Sequence, residues 1–245
     1  MPHKVFTVLE NNPEAMNYLA QELGLSPSLA FHDIYSLSEP SLLDLIPRPA
    51  LGLLVTIPMT PAWARSREAE DVPLPEYSGV GPDEPVLWFE QTITHACGSI
   101  GLLHCLLNVS GENAAHILPG SELARIRAEA LPKHRLERAK VLEDSQVLED
   151  AHQRAAKLGQ TVAPSEEEGH RLGNHFVAFV KGRDGHLYEL EGSRKGPLDR
   201  GALADDEDVL SERALDLGLR RVMEIEKNDA GGDLRFSCIV LGPAA

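Results

Sequence analysis

The chain has little of three things that would point to particular protein classes: cysteine, basic charge and long apolar runs. Its 3 cysteines in 245 residues are an odd number, which does not suggest a disulfide framework. Its 23 basic and 38 acidic side chains give a formal charge of −15, which disfavours nucleic-acid binding because basic patches carry that affinity. No apolar run reaches the roughly 20 residues of a membrane span, and the first residues lack the apolar core of a secretion signal.

The low content of cysteine, basic residues and apolar runs predicts the location of the protein and the kinds of partner it binds. Reduced thiols are typical of a reducing compartment, so we expect the cytoplasm, with the nucleus left open as a second location. We expect no nucleic-acid partner and no membrane partner. The acidic charge favours a partner with a basic face, although an acidic surface that only aids solubility explains the same charge.

The remaining composition predicts one α/β or α+β domain with a mostly antiparallel central sheet clothed by helices. Asn12, Pro13 and Gly24 have the residue types of helix caps around an amphipathic segment, and the apolar run Ala50–Ile57 predicts a central strand. Further elements follow from periodicity and propensity: strands at 31–35 and 234–241, helices at 41–45, 97–108 and 206–228, and two or three helices within 121–158. The proline-rich stretch Pro58–Pro85 predicts a surface excursion, and Gly159–Gly173 predicts a long loop.

Cys97 is the first candidate for chemistry. It begins the apolar segment CGSIGLLHCLLN, where the N–H groups and dipole of a helix N-terminus favour a thiolate. Cys105 lies in the middle of the same helix among leucines and is not placed for reactivity. A small buried core cysteine remains the alternative for Cys97, because free cysteine is among the most buried residue types.

A hairpin supplies candidates for the base and for its partner. Residues 174–180 and 186–191 alternate in hydrophobicity around the turn GRDG. If the loop is Gly182–Asp184, His175 lies directly opposite Glu191, close enough for a carboxylate to hold an imidazole. A two-residue turn at Asp184-Gly185 would shift the register and separate them. A hydrogen-bonded strand histidine and a solvated glutamate remain the alternatives.

Metal and phosphate sites are not expected. His95, Cys97, His104 and Cys105 are ligand types for zinc, but their spacing does not match the C-x₂₋₄-C pairs of structural sites. No glycine-rich phosphate loop of known spacing occurs. We expect neither a metal nor a cofactor.

The segment Gln91–Asn108, QTITHACGSIGLLHCLLN, resembles the active-site signature of the ubiquitin C-terminal hydrolases. Similar segments cover essentially the whole chain: LENNPE, LGLSPSLAFHDIY, LIPRP, LERAKVLE, NHFVAFV, LYELEG and LRFSCIVL. The resemblance implies that Cys97 is the nucleophile, His175 the general base and acid, Gln91 the oxyanion donor and Glu191 the third member. The family pattern reads LYELDG, so Glu191 is one methylene longer than usual, and the hairpin is one residue longer than in animal members.

The same resemblance implies a fold and an activity. The fold is a papain-like domain spanning 1–245, with a six-stranded antiparallel sheet and a knotted backbone, an exception to the general rule against knots. A crossover loop at about 150–173 would arch over the active site and admit only small or unfolded adducts. The implied activity is thiol-dependent removal of adducts from the C-terminal glycine of ubiquitin through a thioester, by a deubiquitinase. We expect it to be a monomer in the cytoplasm.

The resemblance also implies where ubiquitin would bind. The implied contacts are Val8, Leu9, Glu10, Asn11, Asn12, Pro13, Arg220, Val222 and Met223. Two alternatives remain open at this point: a ubiquitin-binding or ubiquitin-stabilising protein with little turnover, and a hydrolase of a related ubiquitin-like modifier.

Overall fold

The computed structural model describes residues 4–109, 115–159 and 173–244. Its α-helices are α1 Pro13–Leu23, α2 Pro40–Leu43, α3 Pro61–Asp71, α4 Cys97–Leu107, α5 Glu122–Ala130, α6 Arg135–Glu143, α7 Gln146–Ala155, α8 Glu212–Leu217 and α9 Leu219–Asn228, and a short 3-10 helix covers Ala156–Leu158. Its strands are β1 Leu29–Asp33, β2 Gly52–Pro58, β3 Asn174–Lys181, β4 His186–Leu190, β5 Leu198–Ala202 and β6 Ser237–Pro243. Helices and strands therefore mix along the chain, as predicted.

The six strands form one sheet in the order β1-β6-β2-β3-β4-β5. Each neighbouring pair is antiparallel, which confirms the predicted sheet. Successive residues of β2 alternate between two cores: Leu54 packs with α1 and α4, whereas Leu53 and Val55 pack with α8 and α9. The sheet is thus covered on both faces, and α4 lies against its centre.

Local sequence explains why α1 begins and ends where it does. The side chain of Asn12 accepts a hydrogen bond from the N–H of Ala15, and Pro13 occupies the first turn. Gly24 ends the helix with φ 106°, a left-handed conformation that glycine adopts without a Cβ penalty. The buried residues of α1 lie on one face, so the caps fix which side chains enter the core.

Four features of the structure differ from the sequence-based expectations or lie partly outside the described residues. The proline-rich excursion contains α3, and β5 was not predicted from the residues. The helix expected over 206–228 is two helices separated at Gly218, whose added Cβ would lie 3.0 Å from the ring of Phe179. The expected crossover loop is helical from 150 to 158, and its remainder at 160–172 lies outside the described residues.

Three further expectations concern a membrane span, a knot and the number of domains. No helix in the described part of the chain is long and apolar enough to cross a membrane. The knotted course of the backbone and the division into a single domain stay predictions.

Candidate active site

Cys97 is the first residue of α4, the helix that packs against the central strands β2 and β3. Two glycines let the helix approach the neighbouring segments closely. A Cβ at Gly98 would lie 3.1 Å from Leu9 and 3.3 Å from Phe176, and one at Gly101 would lie 2.7 Å from Leu54. The helix start is therefore pressed against β3, next to His175.

His175 lies in β3, opposite Ile57 of β2, and only 8% of it is exposed. Its imidazole lies beside the thiol of Cys97, close enough for each group to shift the pKa of the other. Its Nε2 lies 2.8 Å from Oε1 of Glu191, which leaves Nδ1 as the ring nitrogen for the sulfur. The structure therefore brings together three residues that lie 78 and 16 positions apart in the chain.

The contacts shift the pKa of each group. Burial alone would raise the pKa of Cys97, but the hydrogen bond and charge of His175 and the backbone at Phe176 and Gly98 hold it below its usual value. Burial would lower the pKa of His175, yet Cys97 and Glu191 hold it well above its usual value. Burial also opposes ionisation of Glu191, whereas His175, Arg67 and Ser193 lower its pKa to about 2. These directions favour a thiolate beside an imidazolium.

The hairpin register differs from the expected one. Ala178 pairs with Leu190 and Val180 with Tyr188, so the pairing is symmetric about Asp184 and not about Arg183. The reason is the turn: the N–H of Gly182 donates to His186, and Gly185 has φ 80°, as in three-residue hairpin loops. The predicted direct opposition of His175 and Glu191 is therefore wrong, although their predicted contact is present.

Gln91 is held beside the same site by its backbone. Its N–H donates to the carbonyl of Gly192 over 2.7 Å, and its side-chain Nε2 donates to the carbonyl of Ile93 over 3.2 Å. A Cβ on Gly192 would lie 2.9 Å from Cβ of Gln91. Gly192 directly follows Glu191, so this close approach ties Gln91 to the carboxylate's segment.

Sequence reasoning missed two side chains of α3 that lie beside His175 and Glu191. The ring of Trp63 lies 6.2 Å from that of His175, and Nε of Arg67 lies 3.1 Å from Oε2 of Glu191. Trp63 and Arg67 are one turn apart on α3. The sequence signal that could have predicted this helix is Thr60-Pro61. The hydroxyl of Thr60 caps α3 by accepting a hydrogen bond from the N–H of Trp63.

The expected ubiquitin contacts fall on two adjacent segments. The stretch Val8–Pro13 precedes and begins α1, and Nδ2 of Asn11 donates to the carbonyl of Ser237 over 2.9 Å. Ser237, Arg220 and Met223 line a groove of about 430 Å³. The other groove residues are Asp33, Ile34, Tyr35, Ser36, Leu37, Ser38, Leu234, Phe236 and Cys238.

Two of the expected contacts need correction. Leu9 and Val222 are core residues with exposures of 4% and 2%. They support the two segments from beneath and do not face a partner.

Comparison with known proteins shows the family to which the chain belongs. The family model of ubiquitin carboxyl-terminal hydrolase, family 1, matches residues 6–224. Ubiquitin carboxyl-terminal hydrolase 3 of Arabidopsis thaliana is 36% identical over 195 residues, covering 79% of this chain and 78% of the relative. Ubiquitin carboxyl-terminal hydrolase isozyme L1 of Homo sapiens is 32% identical over 237 residues, covering 97% and 98%.

Solved structures show the same fold. The catalytic domain of Trichinella spiralis UCH37, bound to ubiquitin vinyl methyl ester, superposes with a TM-score of 0.71 at 21% identity, covering 98% of this chain and 96% of that one. A second structure of that protein, with the same ligand, gives a TM-score of 0.68 at 19% identity, covering 98% and 82%. The fold is therefore the papain-like fold of cysteine proteases. The chain belongs to the ubiquitin carboxyl-terminal hydrolase family 1 and is a cysteine-type ubiquitinyl hydrolase.

Proposed function

We propose that Cys97, His175 and Glu191 form the catalytic triad of a deubiquitinase that cleaves adducts from the C-terminal glycine of ubiquitin. One observation carries the proposal: the buried imidazole of His175 contacts the thiol of Cys97 and the carboxylate of Glu191 at once. A nucleophile, a base and an orienting acid in this order are the parts that acyl transfer requires.

The proposed reaction has two halves. The thiolate of Cys97 attacks the carbonyl carbon of the terminal glycine, and the oxyanion is stabilised by the N–H of Cys97 and by Nε2 of Gln91. His175 gives its proton to the leaving nitrogen as the carbon–nitrogen bond breaks, which leaves a thioester on Cys97. His175 then takes a proton from water, whose oxygen attacks the thioester and releases ubiquitin with a free carboxylate.

Ubiquitin is proposed to dock on the N-terminal segment and the groove together. The proposed contacts are the groove residues Arg220 and Met223 and the half-buried residues Val8, Glu10, Asn11, Asn12 and Pro13. The bond between Asn11 and Ser237 makes the two surfaces continuous. The formal charge of −15 would speed association with a basic docking face. The segment at 150–173 is proposed to limit the leaving group to small or unfolded adducts.

The direct test is turnover of a ubiquitin–fluorophore amide by the wild type and by Cys97→Ala. We expect turnover by the wild type, none by Cys97→Ala, and binding of ubiquitin by both. Binding without turnover in the wild type would favour the ubiquitin-binding alternative. Faster turnover of a related ubiquitin-like modifier in a parallel assay would overturn ubiquitin as the substrate.

A further inference from the structure

The two oxygens of the Glu191 carboxylate face opposite neighbours. Oε1 lies 2.8 Å from Nε2 of His175 and also accepts from the N–H and the hydroxyl of Ser193. Oε2 faces two guanidinium groups, with Nε of Arg67 at 3.1 Å and Nε of Arg194 at 3.6 Å. The carboxylate is therefore held between the imidazole and the arginines.

The Glu191 carboxylate needs a positively charged or hydrogen-bonding partner at Oε2, the oxygen that faces away from His175. Only 1% of Glu191 is exposed, so water cannot compensate the charge of Oε2. Within the described part of the chain, Oε2 and both Nε atoms have no well-directed hydrogen bond, which leaves the attraction between charges as the contact. Glutamate also has one more rotatable bond than aspartate, so an unheld Glu191 could turn its carboxylate away from His175.

Arg67 is the arginine closer to Oε2, and its ion pair with Asp71 is longer, at 3.7 Å. Its Nη2 donates to the carbonyl of Ser193 and, over 3.0 Å, to the Ser193 hydroxyl. Its guanidinium carbon lies 5.4 Å from the centre of the Trp63 ring. Arg194 is committed elsewhere, since it donates to Glu70 over 2.7 Å and to Asp71 over 3.0 Å.

We propose that Arg67 is a positioning residue for the hydrolytic reaction, which holds Oε2 of Glu191 so that Oε1 stays on the imidazole of His175. Arg67 acts through Glu191 and does not touch the reacting atoms. Its contacts with Glu191 and with Ser193 hold the segment that follows β4 against α3. This inference rests on the proposed function of Cys97, His175 and Glu191.

A double-mutant cycle tests the proposal. Arg67→Met keeps most of the aliphatic stem and removes the guanidinium, and Glu191→Gln removes the charge on which Arg67 acts. In the wild-type background we expect Arg67→Met to lower kcat about 10-fold with KM within about two-fold. In the Glu191→Gln background we expect Arg67→Met to change kcat less than about two-fold, because residues that act as a unit are not additive.

Two further variants separate positioning from general damage. Arg67→Lys keeps the positive charge, so its kcat should lie at least halfway between those of Arg67→Met and the wild type. This variant also keeps the test valid if Arg67→Met folds poorly. Arg65→Met is the matched control on the same helix, since Arg65 has an exposed pair with Asp229; it should leave kcat unchanged. Equal losses from Arg67→Met in both backgrounds, or no rescue by lysine, would overturn the proposal.

A second readout does not depend on ubiquitin. The rate at which iodoacetamide alkylates Cys97 at pH 6 depends on the fraction of Cys97 that is thiolate. This rate can be measured for the same four proteins of the double-mutant cycle. We expect Arg67→Met to slow alkylation in the wild-type background only. If the wild type hydrolyses no ubiquitin substrate, the proposed function fails, and the alkylation cycle still decides whether Arg67 acts through Glu191.

Discussion

Glu191 reaches His175 diagonally across the hairpin and not from the position directly opposite. The register places Leu190 beside Ala178, so Glu191 continues past the end of β4 toward Val177, two residues from His175. Diagonal neighbours in a sheet lie about 7–8 Å apart, within reach only of longer side chains. The extra methylene of Glu191 therefore suits this hairpin.

Shortening Glu191 should consequently reduce activity even though aspartate keeps the charge. We expect Glu191→Asp to lower kcat about ten-fold, roughly 1.4 kcal/mol, because the carboxylate no longer reaches Nε2 of His175. We expect Glu191→Ala to lower it about 100-fold, because the imidazole loses its orienting partner. Steady-state kinetics with a ubiquitin–fluorophore amide measures both. Unchanged hydrolysis by Glu191→Ala would rule out the orienting role.

Gly192 should not tolerate a side chain. An added Cβ would lie 2.9 Å from Gln91 and 3.1 Å from Ile100, so the oxyanion donor or α4 would have to shift. We expect Gly192→Ala to cost about 2 kcal/mol of unfolding free energy and to lower kcat. Gly231→Ala is the control, because its Cβ would meet only Asp229 at 3.6 Å. Equal stability and activity for the two variants would contradict the packing argument.

His152 should make stability depend on pH. Its Nδ1 lies 2.6 Å from the hydroxyl of Ser99 and its Nε2 lies 2.6 Å from the carbonyl of Thr7, so Nε2 carries a proton and a neutral ring would accept from Ser99 at Nδ1. Burial lowers its pKa to about 4, against smaller opposing effects of Thr7 and Glu149. A histidine with a lowered pKa stabilises the fold above the unfolded pKa of about 6.5, and that stability is lost as pH falls toward 4.

A variant that cannot titrate isolates this effect. His152→Gln can accept from Ser99 and donate to Thr7. Going from pH 7 to pH 5, we expect the wild type to lose about 2 kcal/mol more unfolding free energy than His152→Gln. Urea unfolding at the two pH values measures the difference. Parallel losses in both proteins would show that His152 is not the titrating group.

Tyr35 should contribute to substrate binding but not to chemistry. It lines the groove proposed for ubiquitin and is 76% exposed, so its truncation does not disturb the core. We expect Tyr35→Ala to raise KM about ten-fold with kcat unchanged, since exposed aromatics are common binding hot spots. Leu136→Ala is the control, because Leu136 is 60% exposed and does not line the groove. A KM unaffected by Tyr35→Ala would move the proposed docking surface elsewhere.

The elements with strong local signals could be predicted from the sequence. The caps Asn12 and Gly24 set the ends of α1, and the apolar run after Cys97 indicated a buried helix with a reactive start. These features depend on neighbours in the chain, so local chemistry fixes them. Cys97 was found in the same way, whereas His175 was selected by a hairpin register that the structure corrects.

The parts that were missed depend on long-range contacts or on competing signals. The many prolines around α3 indicated a surface loop, although Thr60-Pro61 is a typical helix start. Because α3 was not predicted, Arg67 was not recognised as a neighbour of the site. The weakly apolar strand β5 is formed by pairing with β4, and Arg200 and Glu189 join the two strands through an ion pair of 2.7 Å. The hairpin register depended on the left-handed Gly185, and several turns fit the sequence GRDG.

The most direct measurement is covalent capture by a ubiquitin that carries an electrophilic C terminus, followed by mass spectrometry of the adduct. Cys105 and Cys238 are buried, and burial raises the pKa of both thiols. We expect one ubiquitin on Cys97, slow capture by His175→Ala and none by Cys97→Ala. Capture on another cysteine, or undiminished capture by His175→Ala, would contradict the proposed nucleophile and base.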